Sequence, residues 1–187
     1  MQFGDVLKKR KCVRRYTVKD VGWQHVAAIL EAATLAPMAG NIFTPCFLIV
    51  SDKKKMQQLA DAAAQDFLAS ASWLIVICSD NKRAYNAYGE RALRYSRQQV
   101  GAAIENMFLK ATELNLATCW VGAFDDEAVK NILAIPQDIE VEALLPIAYP
   151  TRFISEPRRL KPRLKDVLFF ERWGQRIMKP VKRPEPL

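Results

Sequence analysis

A chain of 187 residues, half of them apolar, is long enough to bury one sizeable core. Its 28 basic and 20 acidic side chains leave a net charge of +8, and no apolar run approaches the ~20 residues of a membrane-spanning helix. The charge sits at the two ends, +5 on residues 1–20 and +7 on residues 151–187 with −4 between them, and it lacks the aromatic interleaving and the basic helix face of a nucleic-acid-binding module.

Residues 2–10 read as a short helix that runs into the cationic stretch Arg10-Lys11-Cys12-Val13-Arg14-Arg15. Residues 23–35 read as a second helix, with Val26, Ile29, Leu30 and Ala33 near one face and Pro37 stopping it. A small-residue turn, Ala36 to Asn41, follows. Phe47–Val50 is a buried strand, and Ser51-Asp52 caps a helix over 53–65. Trp73–Cys78 is a second strand, and a long helical tract covers 82–115.

In that tract Val100, Ala103, Ile104, Met107, Phe108, Ala111 and Leu114 form one broad helical face. The other side carries Gly101, Ala102 and Asn106, which suits deep burial or contact with a second subunit. Ala117–Val121 reads as a third strand. Asp125 caps a helix over 126–134, and Val141–Tyr149 reads as a fourth strand ended by Pro150. The last ten residues hold three prolines and four charged side chains, which predicts an extended arm over 175–187 attached to a single domain of residues 1–174. This order predicts an α+β or α/β architecture whose apolar strands need cover on both faces.

Several chemistries are excluded at the level of residue types. Cys12, Cys46, Cys78 and Cys119 form no C-x-x-C pair, and His25 is the single histidine. No zinc or other metal site is expected, and a Ser-His or Cys-His nucleophile would have to recruit His25. None of the seven glycines builds a G-x-G-x-x-G or Walker loop. The N-terminus has no signal-peptide layout, so a cytoplasmic location is expected. Two basic clusters, Arg10–Arg15 and Arg158–Arg163, with the tight turn at Pro37–Asn41, instead suggest one anionic ligand gripped from several directions.

Read together, these stretches resemble the nitroreductase family of FMN-dependent oxidoreductases. Arg10-Lys11-Cys12-Val13-Arg14-Arg15-Tyr16 matches the family's N-terminal arginine motif, with Cys12 at the usual serine. Ala36 to Asn41 matches its Ala-Pro-Ser-Ala-Gly-Asn turn, with Met38 at the usual serine. Val100–Met107 is similar to the central helix, Gly122-Ala123-Phe124-Asp125 to the loop beside the flavin ring, Lys161-Pro162-Arg163 to the phosphate element and Glu171–Gly174 to the ending.

The resemblance implies a three-layer α/β/α sandwich with a central, mostly antiparallel sheet, a long central helix and an intertwined homodimer. It implies FMN as cofactor and NAD(P)H as transient donor. The phosphate would be held by Arg10, Arg14, Lys161 and Arg163, with Lys11 and Cys12 beside it. Pro37, Met38, Ala39, Gly40 and Asn41 would face the ring from the partner subunit, and backbone N–H groups of Gly122 and Ala123 would lie near the reactive ring nitrogen.

The implied reaction is a ping-pong transfer of electrons to nitroaromatics, quinones or a related small acceptor, with the chemistry carried by the flavin and no catalytic side chain required. Phe43 borders the substrate pocket. Tyr85, Tyr88 and Tyr95, with Arg91 and Arg94, are either an aromatic lid selecting a planar or anionic substrate or an ordinary half-buried helix face with snorkelling arginines. A specialised flavin-consuming or dehalogenating enzyme and a basic nucleic-acid-binding module are the alternatives.

Overall fold

The computed structural model describes residues 1–151 and 162–178. The chain forms two compact units, Met1–Ile154 and Ser155–Leu187, so the expected boundary at 174/175 falls inside the second.

The first unit is built on three antiparallel strands in the order β1 (Pro45–Val50), β2 (Trp73–Ser79), β3 (Glu140–Ile147). Around them lie α1 (Phe3–Lys9), α2 (Trp23–Thr34), α3 (Lys53–Ala62), α4 (Lys82–Tyr88), α5 (Ala92–Glu113) and α6 (Asp126–Leu133). The central strand β2 explains the layering. Its side chains alternate between faces, yet Leu74, Ile75, Val76, Ile77 and Cys78 are all fully buried. Ile75 and Ile77 pack with Val26 and Ile29 of α2 and Val100, Ile104 and Met107 of α5. Leu74, Val76 and Cys78 pack with Met56 and Leu59 of α3 and Val129 of α6. Helices therefore cover both faces, which is the expected three-layer sandwich. Each large apolar side chain so enclosed contributes about 1.5–3 kcal/mol.

The local signals act as read. Asp52 accepts from the Lys55 N–H at 2.8 Å and Asp125 from the Ala128 N–H at 3.0 Å, each satisfying a donor left open by a helix start. The apolar face of α5 is buried from Val100 to Ala111, and α5, 22 residues long, spans about 33 Å.

Two expectations are corrected. The helix predicted over 82–115 is broken. Gly89 takes φ 55, a conformation open to glycine, and a 3-10 turn over Gly89–Arg91 separates α4 from α5. The segment Ala117–Val121 is not a continuous strand. It touches the β3 side of the sheet only through bridges Ala117↔Ala148 and Val121↔Leu144. In that register Cys119 stands opposite Pro146, which has no N–H to donate, so the middle rung is missing. The single strand expected over 141–149 ends at Ile147, although Ala148 still bridges Ala117.

The second unit is described over residues 162–178. It holds a short helix, α7 (Leu164–Val167), and a Phe169–Trp173 ring pair at 4.5 Å with Arg176 stacked 4.7 Å from the Phe169 ring centre. Among the described residues no helix is long and apolar enough to cross a membrane.

Candidate functional site

The N-terminal cationic stretch leaves α1 at Arg10. The Arg10 side chain is only 12% exposed, because its Nε pairs with Glu105 Oε1 of α5 at 3.2 Å and its guanidinium lies 5.5 Å from the Phe108 ring centre. Arg14 lies 5.9 Å from the Phe67 ring centre. Between them Cys12 is half-buried, and its sulfur receives hydrogen bonds from the Cys119 thiol and the Trp120 backbone. Those two donors, with the charges of Arg10 and Arg14, hold the Cys12 thiol well below its ordinary value, at about 6, against the opposing effect of burial.

The cluster is an environment that favours an anion. Glu105 offsets one of its two positive charges. Lys11 and Val13 turn to another side and line a separate cavity of about 280 Å³ with Lys9 and Thr151. The stretch is thus split between two surfaces, a division its dense charge conceals.

The turn at Pro37–Asn41 is held by α5. Gln99 is 4% exposed. Its Nε2 donates to the carbonyls of Pro37 and Ile42, both at 3.4 Å, so it ties down both ends of the turn. Its Oε1 accepts from the Thr44 backbone N–H and hydroxyl, both at 2.9 Å, and the Thr44 hydroxyl also bonds Ser96 at 2.9 Å. Inside the turn Gly40 and Asn41 adopt φ 54 and 56, the left-handed region that glycine and asparagine tolerate best. A side chain at position 40 would collide with the Tyr88 hydroxyl. Pro37, Met38, Gly40 and Asn41 remain exposed, and Pro37, Met38 and Ala39 border a cavity of about 310 Å³ with Tyr95 and Gln98.

The tyrosines do not share one helix face, since Gly89 divides their helix. Tyr88 and Tyr95 instead meet edge to face at 5.1 Å across the break, while Tyr85 is 44% exposed and Arg91 and Arg94 are exposed. Tyr88 therefore connects the candidate lid to the turn. Phe43 is half-buried at the foot of that turn, two residues before β1.

Gly122 and Ala123 are exposed in the loop that precedes the Asp125 cap of α6, and the Asp125 N–H bonds the Ala62 carbonyl at 2.9 Å. Lys161 lies outside the described residues. Arg163 belongs to the second unit, where it forms a bidentate pair with Asp166 at 2.8 and 3.1 Å. The Nε and Nη2 donors of Arg163 are thus taken by a carboxylate that offsets its charge.

Sequence reasoning passed over Gln99, Thr44, Ser96, Glu105 and Cys119. The one available signal was a glutamine beside the apolar face of α5. Gln99, which anchors the turn, and Glu105, which pairs with Arg10, stand six residues apart on α5, an axial rise of about 9 Å.

Comparison with known proteins accords with this arrangement. The profile of the nitroreductase family matches residues 7–70 and 62–149. A protein of Archaeoglobus fulgidus named as a putative NADH dehydrogenase/NAD(P)H nitroreductase is 30% identical over 172 residues, covering 88% of this chain and 94% of its own. The iodotyrosine deiodinase of Thermotoga neapolitana is 25% identical, covering 85% of this chain and 92% of its own. The NADPH:FMN oxidoreductase of Vibrio harveyi, solved with NAD+, shares the fold with a TM-score of 0.79 at 18% identity, covering 92% of this chain and 78% of its own. With its helix-covered antiparallel sheet, its long α5 and a profile match running from residue 7 to residue 149, this chain belongs to the nitroreductase family.

Proposed function

We propose that the protein is an FMN-dependent oxidoreductase working with NAD(P)H as a homodimer. The observation that carries this reading is the pair of guanidiniums at the end of α1, Arg10 oriented by Glu105 and the Phe108 ring and Arg14 against the Phe67 ring. A flavin phosphate is a dianion and suits such a site. Glu105 weakens the net charge of this cluster, as Asp166 does that of Arg163; Lys161 and Arg163 remain the further phosphate ligands that the resemblance implies.

The turn held by Gln99 is the ring-facing element, with Pro37, Met38, Ala39, Gly40 and Asn41 toward a flavin bound mainly by the partner subunit. Gly122 and Ala123 offer backbone N–H groups beside the ring. Phe43, Tyr85, Tyr88, Arg91 and Tyr95 border the acceptor's entrance. When bound, FMN would supply the two-electron chemistry linking NAD(P)H to a nitroaromatic, quinone or related acceptor by a ping-pong route. The chain's own task is placement and exclusion of water, which accounts for a site without an acid-base pair. A halogenated phenol as the acceptor is a second reading, motivated by the similarity to the Thermotoga deiodinase.

One column run tests the cofactor and the assembly together. Size-exclusion chromatography with light scattering and flavin absorbance should show one flavin per chain, running as FMN after acid release, in a particle of twice the 21.3 kDa chain mass. A colourless particle that takes up no added FMN refutes the cofactor assignment, and a flavin-bearing monomer refutes the shared site.

A further inference from the structure

The middle of the chain, residues 21–150, carries a net −4, yet residues 82–98 within it hold five basic side chains and one acidic one. The fold uses only one of these cations. Lys82 is paired with Asp138. Arg91, Arg94 and Arg97 are exposed, and none of their side chains makes an ion pair, a hydrogen bond or a ring contact with a described residue. Glu90, the one carboxylate of the stretch, is exposed and pairs with none of them.

Their spacing makes the three arginines one feature. Arg91 stands at the head of α5 with helical dihedrals, φ −71 and ψ −16, and Arg94 and Arg97 follow at three-residue steps. Residues three apart are neighbours on a helix surface, so the guanidiniums form a stripe about 9 Å long. Like charges at this spacing repel and weaken the helix slightly. Elsewhere the fold offsets such cations, Arg10 with Glu105, Lys110 with Glu113 and Arg163 with Asp166. The stripe also adjoins the candidate site. Tyr95 and Gln98, which border the cavity of about 310 Å³ beside the Pro37–Asn41 turn, stand four residues after Arg91 and Arg94, one helical turn further on the same side.

A row of unpaired guanidiniums matches a group with several anionic oxygens, and phosphate is the one that arginine forks fit best. The nicotinamide donor brings such groups. NADPH differs from NADH by a phosphate on the adenosine 2′ oxygen, a group that arginine accommodates in other nicotinamide sites. We propose that Arg91, Arg94 and Arg97 bind the 2′-phosphate of NADPH and make NADPH the preferred donor. The assignment rests on the reading of the protein as a nicotinamide-dependent oxidoreductase. A terminal phosphate carries nearly two charges and three acceptor oxygens, so it engages a row of forks more fully than the bridging diphosphate. The diphosphate is common to both nucleotides, and a contact with it sets no preference. The stripe is exposed, so the preference weakens as salt rises.

The test uses the full chain with FMN added. Calorimetry with adenosine 2′,5′-bisphosphate and with adenosine 5′-diphosphate needs no flavin chemistry and separates the two phosphate positions. Anaerobic stopped-flow reduction of the flavin gives the apparent Kd for NADPH and for NADH. The wild type should bind the 2′,5′-bisphosphate about tenfold or more tightly than the 5′-diphosphate, and NADPH likewise over NADH. Arg91→Ser/Arg94→Ser/Arg97→Ser, with every change on an exposed face, should abolish both preferences. Arg94→Lys/Arg97→Lys keeps the charge but loses the forks, so it should retain only part of them. Equal wild-type affinity for the two adenosine phosphates overturns the proposal. So does a triple variant that keeps the wild-type preference or that weakens all the ligands alike. A flavin that neither nicotinamide reduces refutes the oxidoreductase reading instead, and the adenosine phosphates still decide whether the stripe binds a 2′-phosphate.

Discussion

Arg10 is fixed by two neighbours that the local sequence does not contain. Glu105 holds its Nε and the Phe108 ring underlies its guanidinium, so the cation is oriented before any ligand arrives. Hydrogen bonds to charged groups are worth about 1.5–3 kcal/mol, so Arg10→Ala or Arg163→Ala should weaken FMN binding by roughly 10- to 100-fold. Arg172→Ala, whose Nε bonds Gln175 in the second unit, should change it much less. A fluorescence titration decides, and wild-type affinity in both folded single variants would send the two basic ends to another ligand. Cations of this kind are legible from a sequence because they cluster. Glu105 and Cys119 are not, because each becomes relevant only through a contact made by the fold.

The elements show where periodicity carries a prediction and where it stops. The buried face of α5 from Val100 to Ala111 is visible as a pattern of apolar residues. Gln99, one position before it, looks like a solvent-facing residue and is instead the anchor of the Pro37–Asn41 turn. Gln99→Leu removes two donors and one shared acceptor from a buried network. Stranded buried partners cost about 1–3 kcal/mol each before relaxation, so the urea midpoint should fall by the equivalent of about 2–3 kcal/mol. Gln99→Glu keeps the acceptor for Thr44 but loses both donors to the turn, so it should recover only part of the loss. An unchanged midpoint in Gln99→Leu would mean that the turn holds itself.

The two misread elements have equally local causes. Gly89 breaks a helix whose flanks both read as helical. Pro146 removes one rung from a pairing whose partner, residues 117–121, reads as a strand by itself. Cross-strand register is invisible until both segments are placed.

At the scale of the molecule, the three layers follow from one strand, β2, whose two faces are both apolar and therefore demand two helical covers. That much is readable in Trp73–Cys78. The gathering of Arg10, Cys12 and Arg14 against α5, and of the turn against Gln99, six residues before Glu105 on the same helix, is a property of the assembled core. The function proposed here requires that these places serve a flavin accepting hydride from a nicotinamide. The most direct measurement is an anaerobic titration of the FMN-loaded protein with NADH and with NADPH, followed by flavin absorbance. The account predicts that at least one of them bleaches the flavin stoichiometrically and that a nitroaromatic or quinone then restores the colour. A protein-bound flavin that neither nicotinamide reduces, under conditions where dithionite does, would contradict it.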